Sequence, residues 1–209
     1  MILYDCATAP SPRRVRMFAA EKQMKITIQA VDLQHNEQFG DDFRAVNPDE
    51  TVPVLVLEDG TRLADIVGIC RYIEESSPEP PLFGTSPVEK ALIDGWLRWC
   101  DREGFYAVMD AFRNATPGLR GRALPGPFAY EQIPALAERS RDRITHFFDR
   151  LDQQLGKAHY VAGNRFSIAD ITAFVTVEFA GWLKIAPDER HRHLQHWLNA
   201  VRLRPSAAV

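Results

Sequence analysis

The chain has 209 residues, 45% of them hydrophobic, enough to core one large domain or two small ones. Its 25 Lys and Arg against 28 Asp and Glu leave a formal charge of −3 and a pI near 6.1, no electrostatic footprint for nucleic acid or an anionic membrane. Neither a basic segment leading into an apolar stretch nor a run of about 18 apolar residues occurs, so the sequence indicates neither secretion nor a membrane span.

In chain order, Ile2, Leu3 and Tyr4 read as a first strand and residues 5–12 as a Pro-rich turn. Ser11 and Pro12 signal a helix start, with Ser11 as N-cap and Pro12 at the first helical position, continuing through Val15, Met17 and Phe18 to Lys22. Residues 25–31 read as the next strand. Residues 32–47 are polar and irregular, with one short helix near Phe43. Val52-Pro53 stands directly before the apolar, β-branched run 54–57, which reads as a buried strand. A proline there belongs at the strand entrance, where a cis bond makes the turn sharp. Glu58-Asp59-Gly60 is hairpin-turn chemistry, followed by a short strand and a helix opening at Asp65. This βαβ-ββα order predicts a thioredoxin-like α/β domain with a mixed sheet and helices on both faces.

Residues 76–86 hold three prolines and a glycine and read as a linker, giving a first domain over 1–76, a linker over 77–85 and a second domain over 86–209. The second domain is all helical. One helix opens at Ser86-Pro87 and runs to Asn114, its apolar residues three to four apart except for one gap. A Gly/Pro-rich loop follows. Further helices run from about Ile133 to Leu155, from just after Phe166 to Leu183 and from about Glu189 to Leu203. Ser167 and Asp170 stand in the spacing of a capping box, a folding device that needs no ligand.

Three cysteines, Cys6, Cys70 and Cys100, with no CxxC pair, fit a reduced cytosolic setting. His191, His193 and His196 invite a metal reading, but only the last two share a helix face and no acidic or Cys ligand stands in register. They read as solvated, and no metal is expected. Arg113, Arg120 and Arg122 bracket a loop that lacks the ending of a phosphate loop.

The succession Asn47-Pro48, Val52-Pro53, hairpin, then the segment from Leu63 to Glu74, resembles the glutathione-binding half of cytosolic glutathione transferases, and the helical second half extends the resemblance over the whole chain. The resemblance implies an enzyme that conjugates glutathione thiolate, as co-substrate, to a small hydrophobic electrophile. It implies homodimers in the cytoplasm. Val52 would offer its backbone N–H and C=O to the cysteinyl part of glutathione, with Pro53 cis. Asp65 and Ile66 would open a helix whose N-terminus receives the γ-glutamyl carboxylate, and Gln38 would meet the glycyl carboxylate. Ser11 is the candidate donor to the sulfur, with Thr8, Tyr4 and Cys6 close enough to compete. The family has Ser after the acidic residue where this chain has Ile66, so a transferase fold kept for ligand binding without catalysis is the alternative.

Overall fold

The computed structural model describes every residue from Met1 to Val209. Two compact units result. The first is Met1–Pro80 with Pro125–Phe128 and Val209, the second Pro81–Leu124 with Ala129–Ala208. No helix is long and apolar enough to cross a membrane.

In the first unit four strands, β1 (Ile2–Asp5), β2 (Thr27–Ala30), β3 (Val54–Val56) and β4 (Arg62–Leu63), are ordered β2-β1-β3-β4. β1 runs parallel to β2 and antiparallel to β3, with Leu3 between Ile28 and Leu55, and β4 closes an antiparallel hairpin on β3. This is the predicted mixed sheet with shorter strands. β2 is an exposed edge and ends at Ala30. Leu57 drops out of β3 because its N–H closes the hairpin turn onto Thr61 O at 2.8 Å.

Alternation along the strands sets Tyr4, Val54 and Val56 on one face and Leu3 and Leu55 on the other. Val31, Phe43 and Val54 form a small core on the first face, with Tyr4, Leu33 and Val52 packed around it. Phe43 belongs to α2 (Asp41–Val46), the short helix the sequence predicts. Helices α1 (Pro10–Glu21) and α3 (Ile66–Ser76) pack together and bury Val15, Met17, Phe18, Ile69 and Ile73 completely, each worth at most about 1.5–3 kcal/mol of transfer free energy. Buried Lys22, just past α1, pairs with Glu74 of α3 and donates to the carbonyls of Pro78 and Pro80. That pairing ties the end of α3 and the chain after it to α1.

The second unit contains α4 (Pro87–Trp99), α5 (Tyr106–Ala115), α6 (Pro134–Leu155), α7 (Ile168–Ala180) and α8 (Arg192–Arg202). The predicted continuous helix over 86–114 is interrupted. Residues Cys100–Phe105 form a π-helical stretch, and the gap in apolar spacing falls there because one inserted residue shifts the helix face. Gly104 lets this stretch lie against α6: a Cβ there would sit 2.7 Å from the Phe147 ring, which also stacks on Trp99. The capping box of α7 closes, with Asp170 accepting from the Ser167 amide and hydroxyl at 3.0 Å each. Asp170 also accepts from the Val161 amide at 2.9 Å and the Trp197 indole at 3.1 Å, so one buried carboxylate holds α7, α8 and the loop before α7 together.

The last helix begins at Arg192 and not at Glu189, and His191 corrects the reading of a solvated histidine. His191 is buried, its Nδ1 accepting from the Asp188 amide at 3.1 Å and its Nε2 lying 3.0 Å from the Asp149 carboxylate. His193 and His196 are exposed.

Candidate functional site

The register places four chain segments at one end of the sheet. Val54 faces Tyr4, so extending the antiparallel pairing brings Val52 beside the outgoing end of β1. Leu63 faces Leu55, which carries the start of α3 at Asp65 to the same end. Asp5 faces Ala30, and the Val31 amide donates to Asp5 O at 2.7 Å, so the segment running on to Gln38 leaves from there as well. The turn from β1 into α1, carrying Cys6, Thr8 and Ser11, completes the set.

That turn is fixed by a residue that sequence reading passed over. Arg16, nearly two turns into α1, donates to the buried Asp5 carboxylate at 2.6 Å, to Ala7 O at 2.8 Å and to Cys6 O at 3.3 Å. A pairing eleven residues apart across a turn has no periodic signature, so no pattern could have found it.

Ser11 is not an N-cap, which corrects the sequence reading. The N-cap is Ala9, extended at φ −80° and ψ 135°, and the helix starts at Pro10. Pro10 forces both features: its ring pre-sets a helical φ and pushes the preceding residue out of the helical region. Of the four donors that a helix start leaves without intrahelical partners, Pro10 and Pro12 have none to offer and the Ala9 amide is taken by Cys6 O at 2.9 Å. The Ser11 amide is left over, beside a half-buried hydroxyl that makes no cap bond. Thr8 is exposed, and its hydroxyl lies 3.5 Å from the Cys6 sulfur. Burial pushes the Cys70 thiol far up and leaves it inert.

Val52 enters β3 through a cis bond to Pro53, as the sequence suggests. The approach is built by Asn47, whose side chain donates to Thr51 O at 2.8 Å and accepts from the Asp49 amide at 3.1 Å. Glu50, at φ +55°, tucks inward onto Arg44 at 2.6 Å. With the turn held by its neighbours, the N–H and C=O of Val52 keep no partner within the protein.

Asp65 is the N-cap of α3, its carboxylate accepting from the Gly68 amide at 2.7 Å. The amides of Ile66 and Val67 remain without protein acceptors at the positive end of the helix, and the Ile66 side chain is half-buried. Gln38 lies in a 3₁₀ turn, Glu37–Phe39, and is buried with its Oε1 lacking a partner, whereas a loop amide read from sequence alone is as readily solvated.

One end of the sheet thus gathers a strand-like backbone edge at Val52, free amides at a helix start, a hydroxyl beside another helix start, and a buried amide with an unused acceptor. Chemically, a backbone edge of this kind can pair with an extended peptide main chain, and free amides at a helix start can take an anionic group.

Residues 8–76 match the family model for the glutathione S-transferase N-terminal domain and residues 107–205 the model for the C-terminal domain. Glutathione S-transferase 2 of Saccharomyces cerevisiae is 36% identical over 99% of this chain and 87% of its own length. The crystal structure of Gtt2 from Saccharomyces cerevisiae superposes with a TM-score of 0.91 at 34% identity, covering 100% of this chain and 99% of that one. A glutathione S-transferase domain-containing protein from Marinobacter aquaeolei gives 0.90 at 35% identity, with 99% of each chain covered.

Proposed function

The chain belongs to the glutathione S-transferase family, and from that premise we propose that it conjugates glutathione, as co-substrate, to a small hydrophobic electrophile. The observation that carries the reading is the set of unpaired groups at one sheet end: Val52 N–H and C=O, the Ile66 and Val67 amides and the Ser11 hydroxyl.

In this reading Val52 pairs with the cysteinyl main chain, and cis Pro53 turns the strand so that both groups of Val52 face outward. The start of α3 holds the γ-glutamyl carboxylate through two amides, with Asp65 fixing that turn and lying near the γ-glutamyl amine. The Gln38 side chain meets the glycyl carboxylate through its amide NH₂. Ser11 donates to the sulfur at the start of α1. The thiolate needs that help. A free thiol ionises near ~8.5, and a helix terminus alone supplies at most ~2 kcal/mol, so a donated hydrogen bond keeps a larger fraction ionised near neutral pH.

Residues 1–76 are the glutathione-binding domain in this proposal, 77–85 the linker and 86–209 the helical domain. The protein works in the cytoplasm as a homodimer. Val88 and Leu92, one turn apart on α4 and both exposed, support the association, which light scattering tests directly.

One observation favours a second reading. With Ile66 at the helix start the γ-glutamyl carboxylate loses a hydroxyl partner, which suits a fold that binds glutathione or another ligand without catalysis. Retention on immobilised glutathione, measured with conjugation of a generic aromatic halide, separates the two. Retention with turnover supports the transferase; retention without turnover supports the binding protein; failure of both removes the glutathione site.

A further inference from the structure

A cavity of about 540 Å³ lies wholly within the second unit, between the C-terminal end of α6, the loop that follows it and α8, and none of its lining residues belongs to the candidate site. That volume is in the range of small-molecule sites. Its polar lining is Lys157, His159, Tyr160, Asn164, His193 and His196, with no carboxylate. Three of the protein's six histidines and a lysine thus stand around one hollow.

The arrangement is seated in the backbone. Gly156, where α6 ends, has the His193 ring against it: a Cβ there would lie 3.1 Å from Cδ2 and 3.2 Å from Nε2. The carboxylates of the flanking elements are engaged elsewhere. Asp152 accepts from the Leu194 amide at 2.9 Å, and Asp170 takes the indole N–H of Trp197, leaving that side chain to line the cavity with its ring. Lys157 and His159 are exposed, so the donors are reached from solvent.

We propose that this cavity binds a phosphate group, either free phosphate or a small phosphomonoester, through Lys157, His159, His193 and His196. A lysine ammonium and imidazole N–H groups suit a compact, multiply charged oxyanion, whose charge-assisted hydrogen bonds exceed neutral ones in strength. The proposal is independent of the glutathione reading.

The test follows the histidine ring signals of the full chain by NMR while inorganic phosphate or glycerol phosphate replaces chloride at constant ionic strength. His159, His193 and His196 are expected to shift together and saturate, while His35 and His146, outside the cavity, stay in place. Lys157→Glu is expected to weaken the titration by at least about tenfold. Ala200→Trp, which fills the space without altering charge, is expected to abolish it. Tighter binding of glycerol phosphate identifies an organic phosphate as the ligand class, and the reverse order identifies free phosphate. A uniform drift of all histidines without saturation, or a Lys157→Glu titration equal to the parent's, overturns the proposal.

Discussion

Arg16 Nη1 donates to the Asp5 carboxylate over 2.6 Å, spanning the turn that leads from β1 into α1. Both side chains are largely withdrawn from water, at 14% and 4% exposure. Pairs this deep differ from surface ion pairs in one respect: removing a single partner strands a charge that has already lost its water.

Arg16→Gln is therefore expected to cost roughly 3–5 kcal/mol in urea unfolding, well beyond the 0–1 kcal/mol of an exposed pair. Loosening the Cys6 and Ala7 carbonyls is also expected to lower conjugation more than the loss of stability alone accounts for. A cost below about 1 kcal/mol means that the turn holds its shape without Arg16.

Ser11→Ala separates chemistry from folding because Ser11 makes no cap bond. An N-cap serine costs about 1 kcal/mol when replaced, whereas here stability is expected to stay within about 0.5 kcal/mol. A hydroxyl hydrogen bond to a thiolate is worth about 1.5–3 kcal/mol, so the apparent pKa of bound glutathione is expected to rise by roughly one to two units. Turnover near neutral pH falls accordingly, while glutathione affinity stays within a few-fold. An unchanged pH–rate profile transfers the role to Thr8, Tyr4 or Cys6.

The features that sequence resolves are those whose cause is local. The Val52-Pro53 entrance, the Asp65 cap and the Ser167/Asp170 box each depend on residues within four positions of one another. The sequence sets the N-cap at Ser11, two residues too late, because two prolines compete for the helix start and Pro10 wins by setting Ala9 extended. His191 reads as solvated from sequence because its partner across the fold, Asp149, is 42 residues away. The same holds for Asp170 and Trp197, 27 residues apart: the box was legible, its role as a hub was not.

That hub makes Asp170 a test of stability against pH. Burial is the largest influence on its carboxyl and pushes the pKa from 3.8 up to about 6, against hydrogen bonds from Val161, Ser167 and Trp197 that pull it down. The native state then binds the proton more tightly than the unfolded chain. This residue's contribution is fully present below pH 4 and is lost as pH rises to about 6, on the order of 3 kcal/mol across the window. Asp170→Ala strands three buried N–H donors and is expected to cost at least about 3 kcal/mol near neutral pH, more than the 0.5–2 kcal/mol of a lost cap. The difference from the parent is expected to widen between pH 7 and pH 4, because only the parent gains a proton there. A constant difference across that range means that Asp170 titrates like an exposed carboxylate.

Ile66 is the position where the chain departs from the pattern it otherwise follows. The Ile66 and Val67 amides are available whatever the side chain, so binding of the γ-glutamyl carboxylate is weakened and not abolished. A hydroxyl hydrogen bond to a charged carboxylate is worth about 1.5–3 kcal/mol, roughly 10- to 150-fold in affinity. Ile66→Ser restores that bond and is expected to tighten glutathione at least several-fold by calorimetric titration. The side chain is half-buried and not sealed in the core, so the stability cost is expected to stay below the ~2–5 kcal/mol of a full cavity. Melting of the two proteins checks this directly. A variant that melts with the parent and yet binds glutathione no more tightly places the carboxylate somewhere other than the start of α3, and with it the orientation of the whole tripeptide along Val52.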